Sequence, residues 1–220
     1  MTRSLTMAVS MLRTIFLAAV LAFTADASPL PQARANALRD QFETRQRETK
    51  TWSASFTQTV AMPGMREPVV STGTLAYRAP DQLRLDFTKP ADEFVLALGD
   101  QLFVQKAGKK PSLKSLSGDN AGKPFQSLLG LLRGRPVEEE AFYTAEVSRE
   151  AGRYIVVLTR KPDASGRMPK RITNSIDVES LEVREVIVEL PNGGTLSYRF
   201  DEIARNRPLD QARFTAPAVR

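Results

Sequence analysis

Side chains able to act as acid, base, nucleophile or metal ligand are sparse in this chain, which holds no histidine and no cysteine. That removes the imidazole base and the commonest metal ligand. It also removes thiolate nucleophiles, thiolate metal sites and disulfides. Carboxylates, serines and lysines remain. Glu138-Glu139-Glu140 has the composition of solvated surface. Asp86 and Glu93 carry no spacing signature that would set them up as an acid–base pair. The serines include no Gly-x-Ser-x-Gly turn. Lys109, Lys110 and Lys114 share one segment without aromatic neighbours, so nucleic-acid binding is not indicated. No catalytic residue, metal ligand or cofactor is assigned, and the chain is expected not to be an enzyme.

The elements that would position any site are mostly strands. Trp52 to Val60 (W-S-A-S-F-T-Q-T-V) alternates large or apolar residues with small polar ones, the period of a strand buried on one face. Further strands are predicted at about 68–78, 82–88, 93–98 and 101–106, with Gly99-Asp100 as a tight turn. The clearest alternation sets Leu83, Leu85 and Phe87 against Gln82, Arg84, Asp86 and Thr88. Those three are expected on a concave face, with Phe94 and Leu96 of the next strand beside them. The second half predicts strands at 142–148, 153–160, 171–178, 181–190 and 194–203, with Pro191-Asn192-Gly193-Gly194 as a hairpin turn. Leu181 and Val183 lie on one phase, and Val186, Val188 and Leu190 on the other, which predicts a bulge or a change of buried face. Phe214 is read into a last short strand.

Two helices interrupt the strands. Pro31 to Lys50 places Ala35, Leu38 and Phe42 on one face. Residues 124–134, punctuated by Pro124 and Gly134, carry leucines over more than half of their circumference. The Gly-, Lys- and Ser-rich stretch 107–123 reads as a loop. Ten or eleven antiparallel strands with one apolar face must bury it against another layer. The fold expected is mainly β with an α lid: a curved antiparallel sheet forming an incomplete, half-open barrel covered by short helices. A cavity under the lid would suit acyl chains, which are bound by nonpolar area. A solid core of the same residues is the alternative, and the pattern accommodates both. The candidate cavity comprises Leu38 and Phe42, the strand residues Leu83, Leu85, Phe87, Phe94 and Leu96, and Leu128 and Leu132 of the lid.

The first 27 residues read as a separate segment. Arg3 and Arg13 precede or border the apolar run Ile15 to Phe23, too short to span a bilayer comfortably. Ala25-Asp26-Ala27 then sets small residues before Ser28, as in a Sec-type signal peptide cleaved after Ala27. Residues 28–220 are expected to form one domain, soluble in a bacterial periplasm. The net charge of +6 suits anionic partners such as phospholipid headgroups, or simply solubility.

An ordered set of short motifs covers nearly all of that domain. They are W-S-A-S-F-T-Q (52–58), G-T-L-x-Y (73–77), P-x-x-L-R-L-D-F-T-x-P (80–90) and G-D-x-L-F-V (99–104) in the first half. I-D-V-x-S-L-E-V (176–183), N-G-G-T-L-S-Y-R-F (192–200) and L-D-x-x-x-F-x-x-P (209–217) follow in the second. The set resembles the bacterial outer-membrane lipoprotein carrier family, LolA. The resemblance implies a monomeric periplasmic shuttle. It would take acylated lipoproteins or lipids from an inner-membrane ABC-type releasing complex, shield their acyl chains under the lid, and pass them to an outer-membrane receptor. No bond is made or broken in that cycle. That receptor carries a lipidated cysteine, so the absence of cysteine here favours the carrier. The family also implies an arginine before the proline that opens the second motif, where it latches the lid. Here that position is Ala79, with Arg78 one residue earlier. A one-residue shift on a strand reverses the face. Arg78 therefore reaches round, is re-aimed by a bulge, or leaves the latch absent. A lost latch would suit a carrier of another acylated lipid in a dedicated export system. An envelope lipid-sensing module is the reading from a different class.

Overall fold

The computed structural model describes residues 28–117, 123–133, 141–164 and 168–218. The segment read as a signal peptide, Gly134 and the Glu138–Glu140 run lie outside the described residues. Strands β1 (Ser28–Pro29), β2 (Thr51–Ala61), β3 (Val69–Arg78), β4 (Gln82–Lys89), β5 (Glu93–Leu98), β6 (Gln101–Gln105) and β7 (Ser112–Ser115) occupy the first half. Strands β8 (Tyr143–Glu150), β9 (Arg153–Arg160), β10 (Arg171–Asp177), β11 (Val183–Glu189) and β12 (Thr195–Arg205) occupy the second. Helix α1 spans Gln32–Arg47 and α2 spans Lys123–Arg133.

All described strands form one antiparallel sheet in the order β1-β8-β9-β10-β11-β12-β2-β3-β4-β5-β6-β7. Two meanders, β2–β7 and β8–β12, are thus joined through the β12–β2 pair. Strands β1 and β7 are the free edges, so the curved sheet stays open. The described residues form twelve strands, where ten or eleven are expected from the sequence. The additions are β1 and the edge strand β7, which lies inside the stretch read as a loop and pairs with β6. Exposed on all four residues, β7 shows no burial period to read. Phe214 is not in a strand; it ends a short 3₁₀ turn, Gln211–Phe214, capped by the Asp210 carboxylate. The phase switch in β11 is a bulge: Ser175 pairs with Glu185 and Ile176 with Val183, leaving Arg184 as the extra residue.

The concave face carries the main core, in which Trp52, Phe56, Leu75, Tyr77, Leu83 and Leu85 are buried. An aromatic row crosses the centre of the sheet. Trp52 meets Phe200 edge-on at 5.3 Å, Phe200 stacks on Tyr198, and Phe56 lies edge-on to both Tyr198 and Phe87. Gly73, opposite Phe56 on β3, makes room for it: a Cβ there would stand 2.1 Å from Asp86 O and 2.8 Å from the Phe56 ring.

The convex face has a smaller core of its own. Ala76, Leu96 and Phe103 are covered by Phe214, with Phe94, Leu98 and Leu209 packed around them. This corrects the placement of Phe94 and Leu96. Leu83 pairs with Ala97 and Leu85 with Val95, so Val95 and Ala97 face inward and Phe94 and Leu96 face outward. Strand β5 is apolar on both faces because both are covered.

Candidate lipid-binding cavity

The inward residues of the two meanders differ in size. On β2–β6 they include Trp52, Phe56, Leu75, Tyr77, Leu83 and Leu85, which fill the concavity. On β8–β11 they include Ala145, Val147, Val156, Leu158, Ile172, Asn174, Ile176, Val186 and Val188, mostly shorter, with Tyr143 as the bulky exception at the start of β8. Beneath the helices the centre of the first half is therefore filled, with a cleft of about 530 Å³ at its rim between α2 and Asp81, Asp100 and Leu116, while the second half forms a partly open cavity of about 750 Å³. That volume is within the range of small-molecule sites. Helix α1 contributes Ala35, Leu38 and Phe42, α2 contributes Leu128 and Leu131, and Leu196 and Tyr198 of β12 form the rear wall. Polar side chains of Gln32, Asn36, Arg39, Glu146 and Ser148 also border it.

The nine candidate residues thus separate. Leu38, Phe42 and Leu128 line the cavity. Leu83, Leu85 and Leu132 belong to the solid part of the concave core, at most 2% exposed. Phe87 packs against the same core through Phe56. Phe94 and Leu96 are on the other side of the sheet. The β8–β11 wall was missed, although its run of Ala and Val at inward positions was the available signal.

Helix α1 is tied to the sheet at its C-terminal end. Glu182, which is 7% exposed, accepts from the Trp52 indole (2.9 Å) and from both Nε and Nη2 of Arg205 (2.9 Å each). The same guanidinium donates to Arg45 O (3.3 Å), Gln46 Oε1 (3.4 Å) and Thr49 Oγ1 at the helix end. Burial alone would raise the Glu182 carboxyl. The Arg205 and Trp52 hydrogen bonds, with the Arg205 and Arg45 charges, outweigh it and hold the group below the ordinary glutamate range. A bidentate buried pair of this kind fixes orientation as well as position.

Helix α2 lies over the solid half and the edge of the cavity. Leu128, Leu129 and Leu132 are at most 4% exposed, worth roughly 5–9 kcal/mol of gross burial at about 1.5–3 per side chain. At its end Arg133 Nε donates to the Pro80 carbonyl (2.8 Å), which also accepts from Tyr77 Oη (3.3 Å). Burial pushes the Tyr77 phenol up, and the nearby Arg133 charge opposes it. The latch expected of Arg78 is corrected by this geometry. Arg78 is on the outward face of β3, bonded to Gln82 Oε1 and lying 4.7 Å over the Phe214 ring. The arginine that ties lid to sheet comes from the lid itself.

A family model described as outer membrane lipoprotein carrier protein LolA matches residues 47–217. The chain belongs to the LolA family. An outer-membrane lipoprotein carrier protein from Dechloromonas aromatica is 30% identical over 81% of this chain and 84% of its own length. Another from Leptothrix cholodnii is 26% identical, covering 83% of this chain and 82% of the relative. A crystal structure of a conserved protein from Thermus thermophilus shares the fold at a TM-score of 0.52 and 8% identity, over 84% of this chain and 94% of that one. LolA proteins are carriers rather than enzymes, and the open curved sheet agrees with membership. No helix among the described residues is long and apolar enough to cross a membrane.

Proposed function

We propose that this LolA-family chain is a periplasmic carrier that holds the acyl chains of lipoproteins or related acylated lipids and moves them from the inner to the outer membrane. Residues 1–27 act as its signal peptide, and residues 28–220 work as one monomeric, non-catalytic domain. The observation that carries this reading is the cavity between α1, α2 and β8–β12, walled mainly by Val, Ile, Leu and Ala. Apolar walls of this kind bind alkyl chains by the area they remove from water, with no bond made or broken.

Loading and release follow from the lid. Among the described residues, helix α2 is held by three buried leucines, by the partly buried Phe125 and Leu131, and by the hydrogen bond from Arg133 to Pro80 O, a small set of contacts beside the aromatic row of the sheet, so it can part as a unit. Acyl chains entering beneath it replace the burial its leucines lose, which keeps opening close to balance. An inner-membrane ABC-type complex would load the carrier and an outer-membrane receptor would empty it. The test is native mass spectrometry of the protein purified gently from periplasm. A bound acylated lipoprotein or lipid supports the proposal. A protein recovered without lipid, and unable to take up an acyl probe, contradicts it.

A further inference from the structure

Among the polar residues of the cavity lining, Asn174 stands apart from those near the N-terminal half of α1 and on β8. Asn174 sits at the middle of β10, 5% exposed, on the inward face. Its cross-strand neighbours are Val156 on β9 and Val186 on β11, and Ile172 and Ile176 flank it on its own strand. The two tyrosine hydroxyls of the inner wall have partners: Tyr198 Oη accepts from Gln58 Nε2 (2.6 Å), and Tyr143 Oη donates to Pro169 O (3.0 Å). The Asn174 amide has no hydrogen-bond partner in the protein among the described residues and opens onto the cavity; Arg45 Nε is the fully buried side-chain polar atom among them that lacks a partner. Water in the open cavity can reach this amide, but an alkyl chain that displaces the water leaves it unpaired, a cost that valine at this register, matching both neighbours, would not carry. A wall for alkyl chains alone has no use for it.

We infer that Asn174 sets ligand specificity: its Nδ2 donates to the carbonyl oxygen of an acyl ester or amide, selecting acyl groups whose carbonyl enters the cavity over plain alkyl chains. The inference rests on the acyl-carrier reading and adds a chemical class to it. An amide is suited to the task because it offers two donors and an acceptor. A ligand lacking the carbonyl leaves that amide dry and unpaired, which is the most discriminating situation a site can present. A lipoprotein's acyl groups and a free diacyl lipid both supply such a carbonyl, and Asn174 treats the two alike.

The test uses the chain from residue 28 onward and two fluorescent glycerolipids of equal chain length, one ester-linked and one ether-linked. The wild type should bind the diester about tenfold more tightly, the equivalent of about 1.4 kcal/mol. Asn174→Val should bind both with the same Kd. Asn174→Thr, which keeps a donor, should retain part of the preference. Equal wild-type affinities for the two lipids, or an unchanged ratio in Asn174→Val, would overturn the assignment while leaving the carrier reading intact. If neither lipid binds the wild type, both fall. If Asn174→Val does not fold, the wild-type ratio and that of Asn174→Thr decide the matter.

Discussion

Opening of α2 should be separable from unfolding of the sheet, and Leu129 is the residue that measures it. Its side chain is 1% exposed and belongs to the main core, so Leu129→Ala leaves a void under the helix. Substitutions of this type cost about 2–5 kcal/mol. If α2 opens as a unit, that loss enters the opening equilibrium and raises the open population roughly 30- to 4,000-fold. Arg133→Gln removes the bond to Pro80 O (2.8 Å), which is partly solvated. Its effect should be near the low end for a charged donor, about 1.5 kcal/mol or tenfold. Hydrogen exchange followed by mass spectrometry reads both. Amides of residues 125–133 should lose protection by these factors, while those of β3 and β4 keep theirs. The reasoning fails if β3 and β4 lose protection in parallel with α2, since the helix would then open only with the whole domain. It fails equally if Leu129→Ala leaves α2 exchange unchanged.

Other perturbations have defined outcomes. Glu182→Gln strands the Arg205 guanidinium and should cost about 3–5 kcal/mol at pH 7 in urea unfolding. Because the folded carboxyl titrates below the ordinary glutamate value, its contribution is whole above that value and is lost as pH falls through the folded one. The wild-type advantage over Glu182→Gln should therefore hold above the ordinary glutamate value of 4.5 and shrink as pH is taken progressively below it. Phe214→Ala empties the convex core and should cost about 3–5 kcal/mol, with acyl-probe affinity unchanged. Gly73→Ala drives a methyl group into Asp86 O and the Phe56 ring and should destabilise by at least about 1–3 kcal/mol, seen as a lowered thermal midpoint.

Alternation makes most of the sheet legible in the sequence. Leu83, Leu85 and Phe87 take the inward face their period announces, because one face of β4 is buried and the other half-solvated. Strand β5 resists the same reading. Its second apolar face is satisfied by Phe214, more than a hundred residues along the chain, and no local window contains that contact. Strand β7 is a solvent-exposed edge and carries no burial pattern at all. The cavity was legible in kind but not in place. Alternation says which residues point inward, but whether they fill the space depends on their summed volume against the helices above. Small inward residues at Ala145, Val147 and Val156 leave room where Trp52, Phe56 and Leu85 leave none. Arg133 could not be paired with Pro80 from sequence, since a backbone carbonyl has no residue-type signature.

The most direct measurement of where acyl chains bind is covalent mapping. A fatty acid carrying a photoreactive diazirine in its chain, irradiated with the protein and followed by peptide mass spectrometry, marks the residues it touches. Labels should fall on Phe42 of α1 and on Val156, Ile172 and Val188 of the β9–β11 wall, the residues that enclose the open volume. Labels confined to the outer face, or concentrated on Leu83 and Leu85 in the solid half of the core, would contradict the assignment of the cavity as the acyl site.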